Sequence, residues 1–129
     1  MCRTKTHYPA KLMKLSVVVV NYNTCSLLKQ GLNTLVRACK YIDHEMIVID
    51  DASTDRSVKM LHDEFADVQL IQNSQTLGTA RSRNLGIEQA KGEYILLVNA
   101  DTISGKKTLE NVVDFMDTLL SSLSIVLLK

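Results

Sequence analysis

Acidic side chains follow directly after one of the short apolar runs of this 129-residue chain. Asp50 and Asp51 are adjacent carboxylates behind the run 46–49. Their mutual repulsion costs stability unless a donor, a cation or water compensates for it. One interpretation is a turn and helix cap, because Asp51, Ser53 and Asp55 suit the first turn of a following helix. The other is a ligand site, in which Asp50 accepts hydrogen bonds from a nucleobase or ribose.

A pair of oxygen ligands, Asn99 and Asp101, follows the apolar run 94–98. Alternate residues of an extended segment point to the same side, so both side chains can meet one ligand. The carboxylate of Asp101 can hold Mg²⁺ or Mn²⁺ while the pyrophosphate of a substrate supplies further oxygens, an arrangement that magnesium prefers to an all-protein cage. The alternative is an Asx turn that ends the strand and binds nothing.

Two arginines are candidates for phosphate binding. Arg81 and Arg83 lie near the predicted start of a helix, where guanidinium groups and free backbone N–H groups together bind phosphate oxygens. Solvated surface arginine is the alternative for each. The three histidines lack metal-ligand spacing, and none is placed to act as a base for Cys25. We therefore expect neither a histidine metal site nor a cysteine nucleophile.

The apolar runs before these polar residues are short and rich in β-branched side chains, as in strands covered on both faces of a parallel sheet. They comprise residues 15–20, 46–49, 68–71 and 94–98. Helical patterns separate them, which predicts right-handed βαβ units and a Rossmann-like parallel α/β sheet with helices on both faces. In such a sheet the ligand lies outside the carboxyl ends of the strands, where the polar residues fall.

Four stripes of apolar residues at helical spacing predict the helices. Thr24 or Ser26 is expected to cap the first helix, and Gly92 to end the third as its C′ residue. The stripes are Leu28, Leu32, Leu35, Val36 and Cys39; Val58, Leu61 and Phe65; Ala80, Ile87 and Ala90; and Leu109, Val112, Val113, Met116, Leu119, Leu120 and Leu123.

Composition excludes several classes of protein. The chain is 46% hydrophobic and has a net charge of +1, which excludes disorder and leaves no basic excess to attract nucleic acid. No apolar stretch approaches the roughly 18 residues of a membrane span. Three cysteines without C-x-x-C spacing fit a cytoplasmic protein better than a disulfide framework. Residues 1–13 are expected to form a leader and 14–129 one domain.

Neither a G-x-G-x-x-G fingerprint nor a P-loop is present. Instead, four motifs in order resemble those of the family 2 glycosyltransferases, which have the glycosyltransferase A fold. Residues 15–23 resemble the family's opening strand and its polar end, and residues 49–55 its V-D-D/N-x-S-x-D segment. Residues 73–87 resemble its N-x-G-x-x-x-A-R-N-x-G stretch. Residues 92–102 resemble the strand leading into its D-x-D motif, in the N-x-D form of rhamnosyltransferase-like members.

The resemblance implies a site for a nucleotide-diphosphate-sugar donor, with UDP, GDP or dTDP as the nucleotide. The implied binding residues are Asn21, Tyr22, Asn23, Asp50, Asp51, Gly78, Arg83, Asn99 and Asp101. Asp50 would contact the base, the 21–23 loop the base and ribose, and Arg83 the phosphates. Asp101, with Asn99, would hold a Mn²⁺ or Mg²⁺ cofactor. The implied reaction, typical of polysaccharide biosynthesis, is an inverting displacement at the anomeric carbon.

The chain departs from the family pattern at two points. Asn99 replaces the first acid of D-x-D, which leaves Asp101 as the only carboxylate of the motif. The family continues through an acceptor-binding half that supplies the general base, whereas residues 119–129 lack the expected glycine-containing strand. We therefore expect a C-terminally incomplete fold that binds the donor, with feeble or absent transfer, because general-base catalysis typically contributes about 10²- to 10⁴-fold.

Two other functions compete with this one. The first is a non-catalytic module that binds a nucleotide sugar or docks a partner. The second is a response-regulator receiver, which is disfavoured because the first and third predicted strands end in Asn21 and Asn73 rather than in acids. The apolar residues between Leu119 and Leu128 also predict self-association or poor solubility. Because no membrane span is predicted, any membrane association is expected to be peripheral.

Overall fold

The structure is a computed structural model that describes residues 13–127, with side chains described as far as residue 122. The predicted leader therefore lies outside the described residues, apart from Met13. All four predicted strands and four predicted helices are present. In chain order they are β1 (Leu15–Asn21), α1 (Cys25–Ala38), β2 (His44–Asp50), α2 (Ser57–Glu64), β3 (Gln69–Gln72), α3 (Thr79–Gln89), β4 (Tyr94–Asn99) and α4 (Thr108–Leu127).

The strands form one parallel sheet in the order β3-β2-β1-β4. The chain builds the sheet in one direction from β1 to β3 and then crosses to the opposite side of β1 to add β4. The strand order consequently reverses between β1 and β4. In open parallel sheets this reversal opens a crevice at the carboxyl ends of the strands, where ligands bind. The predicted Rossmann-like α/β architecture is confirmed.

Alternate side chains of β1 supply two separate cores. Val17 and Val19 are buried on the face covered by α1, α2 and α4. Val18 is buried on the opposite face with Ile47 and Ile49, beneath α3. Each fully buried Val or Ile contributes roughly 1.5–3 kcal/mol relative to an exposed one. The central strand is thus fixed from both sides, and the predicted helices on both faces are confirmed.

The predicted apolar stripe of α3 is wrong for Ala80 and Ile87, which are exposed, whereas Ala90 packs against the core beneath the helix. Ser82 and Gly86 are the buried residues of this helix. A Cβ at position 86 would collide with side-chain atoms of Val18 and Ile49, so the helix approaches the sheet where it has no side chain. Because Ser82 and Gly86 are small, α3 packs closely against the sheet, although these two residues give no hydrophobic pattern in the sequence.

Gly92 does not end α3 as its C′ residue. The helix ends at Gln89 with Ala90 as C-cap, and Gly92 lies beyond it. A Cβ at Gly92 would lie 2.5 Å from the backbone nitrogen of Ser16. The glycine is required because the chain passes close to β1, not because the helix needs a left-handed terminus.

Thr24 is the N-cap residue of α1, as predicted, but its side chain makes no capping hydrogen bond, and Ser26 lies within the helix. The Thr24 hydroxyl donates to Asn21 Oδ1 at 2.7 Å instead. The N–H of Cys25, the first residue of the helix, donates to Asp55 Oδ2 at 3.0 Å. The cap is therefore supplied by a carboxylate 30 residues away, in the loop after β2.

Apolar side chains remain exposed along β4 and α4. Ile95 and Leu97 face solvent on the sheet face that α3 covers only in part. Within the predicted C-terminal apolar segment, Leu119 and Leu120 are exposed, and the side chains after residue 122 lie outside the described part. Self-association of this segment stays a prediction. Between residues 13 and 127, no helix combines the length and apolarity that a membrane crossing requires.

Gly31 on α1 provides a test of this packing. A Cβ there would lie 2.6 Å from the carbonyl oxygen of Ala100 and 3.0 Å from that of Thr102. We predict that Gly31→Ala destabilises the protein by about 1–3 kcal/mol, because the loop after β4 must move. This loss outweighs the gain of roughly 1 kcal/mol in helix propensity. Urea unfolding measures the difference.

The matched control is Gln30→Ala, an exposed position on the same helix. It should leave stability within about 0.5 kcal/mol of wild type. A Gly31→Ala variant as stable as wild type would show that the loop after β4 does not rest on α1.

Candidate functional site

The carboxyl ends of β1 and β2 are joined by a buried polar cluster. Asn21 Nδ2 donates to Asp50 Oδ1 at 2.9 Å and to Ser53 Oγ at 3.2 Å. The backbone N–H of Ser53 donates to Asp50 Oδ2 at 2.9 Å. Asn21 is fully buried and Asp50 is 2% exposed. Both carboxylate oxygens of Asp50 therefore bond protein donors, and its contact with a nucleobase stays a prediction.

Asn23 connects the loop after β1 to the loop after β2. Its Oδ1 accepts the backbone N–H groups of Thr54 at 2.7 Å and Asp55 at 3.2 Å, while its own N–H donates to Ser53 Oγ at 2.9 Å. Asn23 and Ala52 have the positive φ angles of 52° and 63°. Such conformations cost about 1 kcal/mol or more outside glycine, and the cross-loop hydrogen bonds offset this strain.

Asp51 is bonded on the opposite side, in the loop that leads to α3. Its carboxylate accepts the backbone N–H of Leu77 at 2.8 Å and of Gly78 at 3.0 Å, and the Asn73 amide at 2.8 Å. Burial acts to raise the pKa of Asp51, but the hydrogen bonds from Leu77, Asn73, Gly78 and Ser82 outweigh it and hold that pKa below its ordinary value. Asp51 is a structural anion that fixes the start of α3.

The helix-cap interpretation of the acidic loop is confirmed for Asp55 and wrong for Asp51. Asp55 Oδ1 accepts the backbone N–H of Ser57, the first residue of α2, at 2.9 Å. Its other oxygen caps α1, so one carboxylate serves two helices. Asp51 accepts no N–H group of α2 among the described residues and instead accepts those of Leu77 and Gly78, in the loop that precedes α3.

In front of these clusters lies an open crevice of about 290 Å³ between the ends of β1 and β4. It occupies the place where the strand order reverses. Four of the nine predicted site residues line it: Tyr22, Arg83, Asn99 and Asp101. The other five, Asn21, Asn23, Asp50, Asp51 and Gly78, are not among its lining residues and form the framework behind it.

Five lining residues were not predicted as site residues: Val20, Thr24, Leu27, Thr79 and Ala100. Leu27 and Thr79 are the two that lie on helices. Thr79 is the first residue of α3 and follows Gly78, whose φ of 92° is strained for any side-chain-bearing residue. The glycine directly before this helical segment is the feature of the sequence that could have indicated Thr79 as a site residue. Leu27 lies on the outer face of α1, and no motif distinguishes it from an ordinary exposed leucine.

The crevice is lined by one basic and one acidic side chain of the described residues. Among the described residues that line it, Arg83 is the only cation and Asp101 the only acid. Arg83 Nη2 donates to Asn99 Oδ1 at 2.8 Å. Asp101 is exposed, with no hydrogen-bond donor among the described residues. A positive and a negative group thus face one crevice without being paired to each other.

The described residues offer too few ligands for a divalent cation unless a bound diphosphate supplies the others. Within residues 13–127, no group of three or more His, Cys, Asp or Glu side chains could hold a metal ion. Asp101 nevertheless offers a carboxylate that no protein donor occupies. Because Mg²⁺ and Mn²⁺ commonly bind one or two carboxylates together with substrate phosphates and water, this residue fits such an ion bound with a diphosphate.

The sheet belongs to the class of open α/β domains, in which ligands generally bind at the topological switch point. Structural comparison narrows the class to the glycosyltransferase A fold. Residues 1–349 of TarS from Staphylococcus aureus, solved with UDP-GlcNAc, match with a TM-score of 0.75 and 30% identity, over 82% of this chain and 32% of that one. A mannosyltransferase from Pyrobaculum calidifontis, solved with GDP-Man and Mn²⁺, shares the fold at 24% identity and a TM-score of 0.69, over 86% of this chain and 36% of that one.

The family follows from the sequence. The family model described as Glycosyl transferase family 2 matches residues 16–126, and the chain belongs to that family. The curated poly(ribitol-phosphate) β-N-acetylglucosaminyltransferase TarS of S. aureus is 29% identical over 123 residues, which cover 92% of this chain and 21% of TarS. A poly(ribitol-phosphate) β-glucosyltransferase of Bacillus spizizenii is 36% identical over 102 residues, covering 75% of this chain and 16% of the relative. The match thus spans about a fifth of these relatives or less.

The Asp51 cluster leads to a prediction about acid stability. Because the pKa of Asp51 is lowered in the folded state, its stabilising contribution is present above the ordinary aspartate pKa and is lost as the pH falls through the lowered value. Asp51→Asn should therefore lower stability at pH 7, and this deficit should shrink below about pH 4. Chemical denaturation at several pH values measures it.

The control is Asp67→Asn, because Asp67 is exposed and has no hydrogen-bond partner among the described residues. We expect Asp51→Asn to cost roughly 1–3 kcal/mol at pH 7, since donors of the 77–78 loop lose their acceptor. Equal stability of the two variants at pH 7 would mean that Asp51 does not hold the start of α3.

Proposed function

We propose that this chain is the donor-binding part of a family 2 glycosyltransferase and that it binds a nucleotide-diphosphate sugar in the crevice between β1 and β4. One observation carries the proposal: Arg83 and Asp101 face the same crevice, at the reversal of strand order. The guanidinium attracts phosphate oxygens, and the carboxylate attracts the cation that commonly accompanies a diphosphate. Membership of the family supports a sugar nucleotide as the ligand.

UDP is the first nucleotide to consider. TarS has been solved with UDP and with UDP-GlcNAc, and its fold matches this chain with 30% identity. GDP and dTDP remain the alternatives.

The two sides of the crevice have different tasks in this proposal. Tyr22 is 52% exposed at the rim, where its ring offers an apolar surface and its hydroxyl a polar end for a base or ribose. Arg83 and the first turn of α3 at Thr79 offer donors to the diphosphate. Asp50 and Asn21 hold the loop on which Tyr22 lies. The predicted contact between Asp50 and a base would therefore be made from a buried position on the inner side of that loop.

Asp101 is the residue that would hold Mn²⁺ or Mg²⁺ in this proposal. Such an ion supplies positive charge that stabilises the departing diphosphate. Asn99 is its neighbour in the motif, but the side-chain oxygen of Asn99 already accepts from Arg83. Of the residues that the structure describes, Asp101 is therefore the one that offers a carboxylate to the ion in this crevice.

A non-catalytic sugar-nucleotide-binding module is the second candidate. It is favoured by the residues that line the crevice in the described part of the chain, because none besides Asp101 is an acid or a histidine. If Asp101 holds a metal ion, no lining side chain is left to deprotonate an acceptor hydroxyl. Binding without transfer is the outcome that this candidate predicts for the chain on its own.

Calorimetric titration with UDP, first with Mn²⁺ and then with EDTA, tests the proposal. We expect Mn²⁺ to strengthen binding of UDP by at least about tenfold, or about 1.4 kcal/mol, because an ion held by Asp101 would add positive charge that attracts the diphosphate. Asp101→Ala should abolish this enhancement, whereas Asp67→Ala should keep it. A folded wild-type chain that does not bind UDP, GDP or dTDP, or an enhancement that survives in Asp101→Ala, would contradict the proposal.

A further inference from the structure

The crevice contains one hydrogen bond between two lining side chains in the part of the chain that the structure describes. It joins Arg83 Nη2 to Asn99 Oδ1 over 2.8 Å. Arg83 lies in the second turn of α3, and Asn99 is the last residue of β4. Because β4 pairs with β1 while α3 packs over β1 and β2, this bond connects two elements that border the crevice from different sides.

The partner that Asn99 offers to Arg83 is neutral. An amide oxygen fixes the direction of the guanidinium without cancelling its charge, and a guanidinium has five N–H donors, of which this bond uses one. No acid is hydrogen-bonded or ion-paired to Arg83 among the described residues. The cation is thus oriented and uncompensated, which is the state in which it attracts an anion most strongly.

The same bond argues against Asn99 as a metal ligand. A divalent ion bound to Asn99 Oδ1 at about 2.1 Å would lie within roughly 5 Å of Arg83 Nη2, because that nitrogen is 2.8 Å from the same oxygen. Two cations at this separation repel each other. Asp101 has no such neighbour, since its carboxylate contacts no cation of the described residues.

We propose that Asn99 is a positioning residue, which holds the Arg83 guanidinium toward the diphosphate and leaves its charge free, and that it is not a ligand of the metal. This assigns the two polar residues of the N-x-D motif to different partners: Asn99 serves the arginine and Asp101 the cation. The inference rests on the proposed function. It differs from the metal-ligand role that the family resemblance implies for Asn99.

A double-mutant cycle on Asn99 and Arg83 tests the assignment. Binding of UDP, of uridine and of inorganic pyrophosphate is measured by calorimetry in EDTA and in Mn²⁺. In EDTA, Asn99→Ala should weaken UDP and pyrophosphate roughly 3- to 10-fold and leave uridine unchanged, because the bond orients a charged donor. Arg83→Ala should weaken both at least as much, and the double variant should be no weaker than Arg83→Ala alone.

Asn99→Asp separates orientation from charge. The carboxylate can still orient Arg83, but it neutralises the guanidinium as an ion pair. Affinity for pyrophosphate in EDTA should therefore fall about as far as in Asn99→Ala, although a partner for Arg83 is retained. Asn111→Ala, an exposed asparagine on α4, is the matched control and should bind as wild type does. Thermal melts of every variant verify that each is folded.

The outcomes distinguish this inference from the proposed function. If Asn99→Ala weakens UDP only when Mn²⁺ is present, or if its effect adds fully to that of Arg83→Ala, Asn99 is a metal ligand or an independent contact and the inference is overturned while the proposed function stands. If pyrophosphate binds in EDTA with the coupled losses and no nucleotide binds, the Asn99–Arg83 assignment stands and the nucleotide function falls. If neither ligand binds the folded chain, both are overturned.

Discussion

The arrangement of this protein depends on two adjacent buried carboxylates that must find hydrogen-bond donors. Asp50 is the last residue of β2 and Asp51 follows it, with exposed fractions of 2% and 3%. An unpaired buried charge costs several kcal/mol. The backbone of neighbouring strand residues points their side chains to opposite sides, so the donors come from two directions. Asp50 is satisfied by Asn21 at the end of β1, and Asp51 by the loop before α3. One dipeptide thereby holds two other loops in place.

The shape of the crevice depends on the hydrogen bonds of Asp50 and Asp51. The loop after β1 carries Tyr22, and α3 carries Arg83, so the carboxylates behind the crevice determine where both side chains face it. The loop after β4 is located separately by its contact with Gly31 of α1. The side chains of Asp50 and Asp51 are consequently structural. Among the described residues, the groups left for a ligand include an aromatic ring, one guanidinium, one carboxylate and the start of α3.

The strands and the polar loops could be predicted from the sequence because β-branched runs and strand-end acids have direct local causes. The division of the predicted residues between crevice and framework could not. Whether Asp50 is exposed or buried depends on Asn21, 29 residues earlier, and the cap of α1 comes from Asp55. The buried face of α3 was also missed, since Ser82 and Gly86 pack closely without a hydrophobic signal. In each case the deciding contact is distant in sequence or is made by a side chain too small to show a pattern.

The central claim is that one crevice holds both the diphosphate and its cation, and paramagnetic broadening by Mn²⁺ in the amide NMR spectrum locates that cation most directly. With UDP present, substoichiometric Mn²⁺ should broaden the amides of residues 99–102 first and then those near Tyr22 and Thr79, and Mg²⁺ should broaden none. Broadening centred on the acidic depression beside Lys14, lined by Asp43, Glu110, Asp114 and Asp117, would contradict the account. So would broadening that is the same with and without UDP, because the cation would then bind independently of the diphosphate.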